Sequence, residues 1–173
     1  MKVINLFGAP GAGKSTTAAG LFFKMKICKT IGSVELVTEF AKDLVYAGRF
    51  KELNNNQIYV TVKQYSRMER LRNKVDYIIT DSPLILGAIY KPNNYFKSYD
   101  SLLNELHESF DSINIVINRV KEYKNYGRMQ TEKESDEIAL SIRRLLKYNE
   151  INYYVVDGNE DAPDTILNIL LKR

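Results

Sequence analysis

The chain has 173 residues, 45% hydrophobic and 27% charged, with a net charge of +4. That size matches one domain with a real core, and the mildly basic balance (pI ≈ 9.0) favours anionic ligands. The composition speaks against an internal disulfide, because Cys28 is the only cysteine; against a Cys/His metal centre; and against a membrane-spanning helix, because no run approaches ~20 apolar residues.

The first predicted strand is Lys2–Phe7, mostly β-branched or aromatic and ending abruptly at Gly8. It is too short to read as a secretory leader. GAPGAGKST fills residues 8–16, and TTAAGLFFKMK continues with helical composition. Gly8, Gly13, Lys14 and Ser15 complete the pattern G-x-x-x-x-G-K-[ST] without mismatch, and Gly11 adds a third glycine. The spacing has a chemical reason. A concave run of backbone N–H groups can wrap a triphosphate, glycine lets that backbone approach closely, and the helix N-terminus adds positive charge. The expected nucleotide contacts are therefore Gly8, Ala9, Pro10, Gly11, Ala12, Gly13, Lys14, Ser15 and Thr16. Lys14 can reach the β- and γ-phosphates and Ser15 can ligate Mg²⁺. An ordinary strand-to-helix turn is the plain alternative.

A second strand, Val34–Val37, runs into a helix over about 39–47. Glu39 follows it, placed to accept a proton from a substrate hydroxyl or to complement the helix dipole. Lys42 is expected to face solvent, and Arg49 suits an anionic or planar substrate. On a helix over 55–72, Gln57 and Gln64 lie seven residues apart and share a face; with Arg67 they can read a base edge or sugar, or form a plain polar surface. The third strand, Tyr77–Thr80, ends at Asp81, which can hold Mg²⁺ opposite Ser15 or cap the next helix. The Tyr- and Asn-rich segment 86–100 can cover an acceptor. Ser98 is expected to cap a helix over 98–109, which carries His107, the only histidine; following no strand, it is given no catalytic part.

The fourth strand is expected at 113–117. Arg119 and Arg128 flank a polar loop after it, and a lid over 119–131 would bring Arg128 onto the γ-phosphate; a basic surface loop is the alternative. Thr131 with Glu134 forms a capping-box pattern for a helix over 131–148. A strand at 153–156 and a helix over 163–172, with Pro163 in its first turn, complete the order. This alternation predicts an α/β fold, a five-stranded parallel sheet sandwiched by helices, with ligands beyond the strands' carboxyl ends.

Together with the phosphate loop, the stretches VELVTEFAKDLVYAGR, YIITDSPLIL and RVKEYKNYGRMQTEKESDEI resemble the small P-loop kinase-like family. That family includes the nicotinamide-riboside kinase domain of bacterial NAD-biosynthesis regulators, and many phage-encoded nucleoside and nucleotide kinase-like proteins resemble it. The resemblance implies one P-loop NTPase domain over 1–173, in nucleoside-monophosphate-kinase order, using ATP and Mg²⁺. It further implies Glu39 and Asp81 as acids facing acceptor and metal, and Arg128 as the lid arginine. The chain departs from those regulators in lacking their adenylyltransferase domain and any tryptophan.

Three functions follow as expectations. The first is an ATP-dependent kinase acting on a nucleoside, nucleotide or related small molecule, in the cytoplasm or, for a phage protein, the host cytoplasm. The second is the same chemistry on a DNA or RNA hydroxyl or a modified phage base. The third is an ATPase or nucleotide switch without an acceptor; INRV at 117–120 is too weak an echo of N-K-x-D for a GTP switch. Acceptor identity and oligomeric state are left open.

Overall fold

The computed structural model describes residues 1–123 and 130–172. Five parallel strands form its sheet: β1 (Lys2–Phe7), β2 (Val34–Val37), β3 (Tyr77–Thr80), β4 (Asp111–Asn118) and β5 (Tyr154–Asp157), in the order β2-β3-β1-β4-β5. β1 lies at the centre, pairing with β3 from Lys2↔Tyr77 and with β4 from Lys2↔Asp111. The chain leaves β1 toward one edge and later returns to the other side. The space beyond the end of β1 is therefore a switch point, where open parallel sheets bind ligands.

Helix α1 (Lys14–Ile27) follows the phosphate loop. Three helices link β2 to β3: α2 (Phe40–Tyr46), α3 (Phe50–Asn55) and α4 (Gln57–Glu69). A 3-10 turn, Leu84–Leu86, leads from β3 into α5 (Gly87–Tyr90) and α6 (Tyr99–Glu108). Helix α7 (Glu132–Tyr148) joins β4 to β5, and α8 (Ala162–Leu171) closes the chain. α1 and α8 bury Leu21, Met25, Ile166 and Leu170 against one face of the sheet. On the other face lie two clusters, one around Val3, Met68 and Phe110 and the other around Phe7, Val116 and Ile142. Both faces are covered, so the strands read as apolar runs.

All five strands and the main helices lie where the sequence predicts them, within a residue or two at most ends. The expected helix over 55–72 ends earlier, at Glu69, and starts at Gln57, where the Asn56 side chain accepts from Tyr59 N–H at 3.1 Å. α3 and α5 carry no strong periodicity and were not predicted. Ser98 does occupy the cap position of α6, but its side chain makes no capping hydrogen bond there. Thr131 and Glu134 form a complete capping box on α7. Among the described residues no helix is long and apolar enough to cross a membrane.

Candidate functional site

The phosphate loop turns at the carboxyl end of β1. Gly13 has φ +97°, a left-handed conformation that a side chain disfavours, and directly precedes the first turn of α1. Lys14 Nζ donates to the Gly8 carbonyl at 2.7 Å and lies 3.4 Å from the Ala9 carbonyl, so its ammonium already lies along the loop. Two residues outside the phosphate loop, given no role by the sequence reading, lie against it. Ser135 on α7, 1% exposed, donates to the Pro10 carbonyl at 2.7 Å. Gly158, just after β5, donates its N–H to the Asn118 carbonyl at 2.8 Å. A Cβ on Gly158 would overlap the Ala12 carbonyl, so close backbone approach requires glycine there.

Asp81 is 4% exposed at the end of β3. Ser15 Oγ donates to Asp81 Oδ2 at 2.5 Å, joining positions 66 residues apart in sequence. The other carboxylate oxygen, Oδ1, is buried without a hydrogen-bond partner among the described residues. Neither oxygen caps a helix. A buried carboxylate oxygen with no partner, next to the hydroxyl of a phosphate loop, fits a hard cation that would complete its shell with phosphate oxygens and water. No group of three or more His, Cys, Asp and Glu among the described residues could hold a metal on its own.

Lys42, expected in solvent, instead reaches into this site. The first turn of α2 carries its ammonium to 2.6 Å from Ser15 Oγ, 3.6 Å from Asp81 Oδ2 and 3.9 Å from Glu39 Oε2. The three partners converge on one point, which the sequence separation conceals. Glu39, the residue before α2, is partly exposed. Burial raises its pKa above the ordinary value; Lys14 and Lys42 oppose that shift and Asp81 adds to it. Tyr90 at the end of α5 keeps 39% of its surface exposed, yet desolvation of its phenol, with the Glu39 charge second, pushes it up to about 12.

Gln64 ties the two acid-bearing segments together. Its Oε1 accepts from Phe40 N–H at 2.9 Å, beside Glu39, and its Nε2 donates to Thr80 Oγ1 at 3.3 Å, beside Asp81. Gln64 is 3% exposed and Gln57 is 4% exposed, and Gln57 donates to the Leu53 carbonyl at 2.7 Å. Both amides are therefore engaged within the scaffold rather than turned outward to read a base. Arg67 donates to the Thr38 carbonyl at 3.2 Å, pairs with Asp43 and lies over the Phe40 ring. Arg49 pairs with Glu52 at 3.1 Å and lies over the Tyr59 ring. Arg67 thus braces the residues on either side of Glu39, whereas Arg49 is exposed and engaged on α3 and α4.

Arg119 follows β4 and is bound to Asp136 at 2.5 Å and Glu132 at 3.2 Å through Nη2, while its buried Nη1 has no partner among the described residues. The expected lid arginine, Arg128, lies outside the described residues, as do all of 124–129. Thr16 lies in the first turn of α1 beside Ser15 and is exposed.

No curated protein matches the chain. Its structure is similar to the crystal structure of thymidylate kinase from Ehrlichia chaffeensis, with a TM-score of 0.57 over 98% of each chain at 14% sequence identity. That likeness shows a shared fold, the five-stranded parallel P-loop sheet in nucleoside-monophosphate-kinase order. The AAA domain family profile matches residues 3–162, the phosphate loop, both acids and all five strands included, and the chain belongs to that family.

Proposed function

We propose that the chain is a phosphotransferase that binds ATP with Mg²⁺ and passes the γ-phosphoryl group to a nucleoside, a nucleotide or a related small molecule. The observation that carries this reading is the pair of acids in unequal environments around Lys42. Asp81 is buried against Ser15 on the phosphate side, whereas Glu39 is partly open and has a raised pKa on the far side. Hydrolysis alone has less need of a tuned second acid facing an acceptor; transfer to a hydroxyl uses one. The family's P-loop and the thymidylate kinase fold support a nucleotide donor and a nucleotide-type acceptor.

In this reading the loop amides and Lys14 hold the donor, and Ser15 with Asp81 holds Mg²⁺, which neutralises charge on the phosphates when bound. Glu39 accepts the proton as an acceptor oxygen bonds to the γ-phosphorus. The bond to the β–γ bridging oxygen breaks and ADP departs. A metal held by Ser15 and Asp81 would displace the Lys42 ammonium from beside them, and Lys42 would then neutralise charge on the Glu39 side of the site. Arg119 completes the donor side.

The test is incubation with ATP labelled at the γ-position, Mg²⁺ and a panel of nucleosides, nucleotides and oligonucleotides. Label is expected in a small-molecule product, with turnover abolished in Lys14→Ala. Label in the oligonucleotide would move the acceptor to nucleic acid. Hydrolysis with no labelled product would make the protein an ATPase and refute the transfer.

A further inference from the structure

The opposite end of the sheet holds a second cavity that the phosphate chemistry does not use. It has a volume of about 600 Å³ and opens between the end of α6, the start of β4 and the loop from α7 into β5, lined among others by His107, Phe110, Ser112, Asn114 and Tyr153. Pockets of this volume accommodate small ligands. The sequence prepares it by an unusual choice. On this face, where β1 and β4 otherwise present Val3, Phe7 and Val116, the register sets Asn5 directly against Asn114. Asn5 Nδ2 donates to Asn114 Oδ1 and to Ser112 Oγ, each at 3.1 Å, and Asn114 donates to the Asn152 carbonyl at 3.1 Å. A polar strip thus divides the two apolar clusters and leads into the cavity.

His107 gives the cavity a polar group that can meet a ligand. It is 8% exposed, yet among the described residues its imidazole makes no hydrogen bond, and it lines the cavity. The ring nitrogens keep contact with solvent, so both are open to a ligand in the cavity. A neutral imidazole offers one donor and one acceptor, and the Ser112 hydroxyl adds a further donor. Burial lowers the His107 pKa, against a smaller opposing effect of Glu108, so the ring stays neutral near pH 7. The flanks are Phe110, Ile151 and Tyr153, and among the described residues the only full charge lining the cavity is the Glu108 carboxylate. Arg72 lies over the far aromatic, Phe110, at 4.2 Å but is paired with Glu69 and does not line the space. Among the described residues a phosphate would meet a carboxylate and no cation.

We propose that this cavity binds an uncharged heteroaromatic of nucleobase to nucleoside size, stacked along Phe110 and Tyr153 and hydrogen-bonded by His107 and Ser112. The site is separate from the phosphate loop: Asn5 precedes Gly8 by three strand residues, about 10 Å. It does not depend on the kinase reading.

Because His107 is the only histidine in the sequence, its ring resonances report on this cavity alone. The whole chain is titrated with adenine, adenosine, thymidine and adenosine monophosphate while those resonances are followed by NMR. At least one uncharged probe is expected to shift them saturably, with equal affinity in Lys14→Ala, and the monophosphate is expected to bind at least tenfold more weakly. Asn152→Trp, which places an indole at the exposed mouth, should abolish the shift while ATP turnover is unchanged. Ser112→Ala, which adds no volume, should weaken binding about three- to tenfold. The proposal is overturned if no uncharged probe gives a saturable shift, if the monophosphate binds as tightly, or if both variants bind like the wild type. Turnover is read separately, so its loss or presence tests the kinase reading and not this one.

Discussion

Replacing Asp81 by asparagine separates function from stability more sharply than any other change in the site. The substitution keeps the shape and the acceptor for Ser15 but removes the charge. Three contributions set its effect on folding. The unpartnered Oδ1 costs the native state about 1–3 kcal/mol, a penalty the neutral amide reduces. The charge-assisted bond from Ser15 at 2.5 Å contributes about 1.5–3 kcal/mol, part of which the asparagine carbonyl keeps. Lys42 stands 3.6 Å away but its side chain is 46% exposed, so that pair adds less than about 1 kcal/mol. The terms nearly cancel, and the variant should unfold within about 1–2 kcal/mol of the wild type, a shift of about 2–8 °C. Activity should respond in the opposite way. With the carboxylate gone, Mg²⁺ loses an anchor and Ser15 its orientation, and turnover should fall ~100-fold or more. Calorimetric melting with and without ATP and Mg²⁺ checks both sides at once. The wild type should gain about 2.7 kcal/mol at a hundredfold excess of ligand over Kd, and the variant far less. A variant destabilised by more than about 3 kcal/mol that nevertheless keeps full turnover would refute the assignment of Asp81 to the metal.

Three further outcomes follow from the same geometry. Gly158→Ala should cost about 1–3 kcal/mol, since the new methyl meets the Ala12 carbonyl and lies 2.9 Å from the Asn118 carbonyl. It should also raise the Kd for ATP in titration calorimetry, and an unchanged Kd would mean that the loop does not need this close approach. Gln64→Leu leaves the Phe40 N–H without its acceptor and takes one of two donors from Thr80 Oγ1, which still accepts from Ser82 N–H, and should cost about 2 kcal/mol, with kcat lowered more than KM for ATP. Lowered KM-type binding with kcat intact would argue against Gln64 positioning the acids. The raised pKa of Glu39 gives a pH signature of definite sign. The folded chain holds this proton more tightly than the unfolded chain does, so the group's stabilising contribution is complete below 4.5 and is lost as pH rises through the folded value. Glu39→Gln should therefore be neutral or stabilising at pH 7. The acid limb of kcat/KM in the wild type should lie above 4.5, and a limb at or below that value would remove Glu39 as the proton acceptor.

The local features of this protein were written in its sequence at short range. β1, the glycine loop and α1 follow one another within residues 2–27, and each is specified by neighbours: a β-branched run, glycines that free the backbone, then a helical pattern. The capping box of α7 needs only Thr131 and Glu134. Asp81 could be placed at the site because an acid at a strand's carboxyl end is positioned by topology, whatever its side-chain contacts. The helices α3 and α5 escaped prediction because their short segments are stabilised by what they pack on, with little pattern of their own.

The tertiary structure alone decided which side chains meet. Lys42 looks like a surface lysine because a helix's first turn can point anywhere until β2 and β3 are paired; pairing turns it onto Ser15, 27 residues away, and Asp81. Gln57 and Gln64 share a polar pattern that suits recognition as well as bracing, and only their burial against Leu53, Phe40 and Thr80 chooses bracing. Gly158 and Ser135 reach the phosphate loop from the far end of the chain, and His107 becomes an unpaired ring in a cavity only when α6 closes over β4. Sequence patterns fix backbone states through neighbours a few residues apart. Contacts across tens of residues depend on strand register and helix rotation, which exist only once the core has packed.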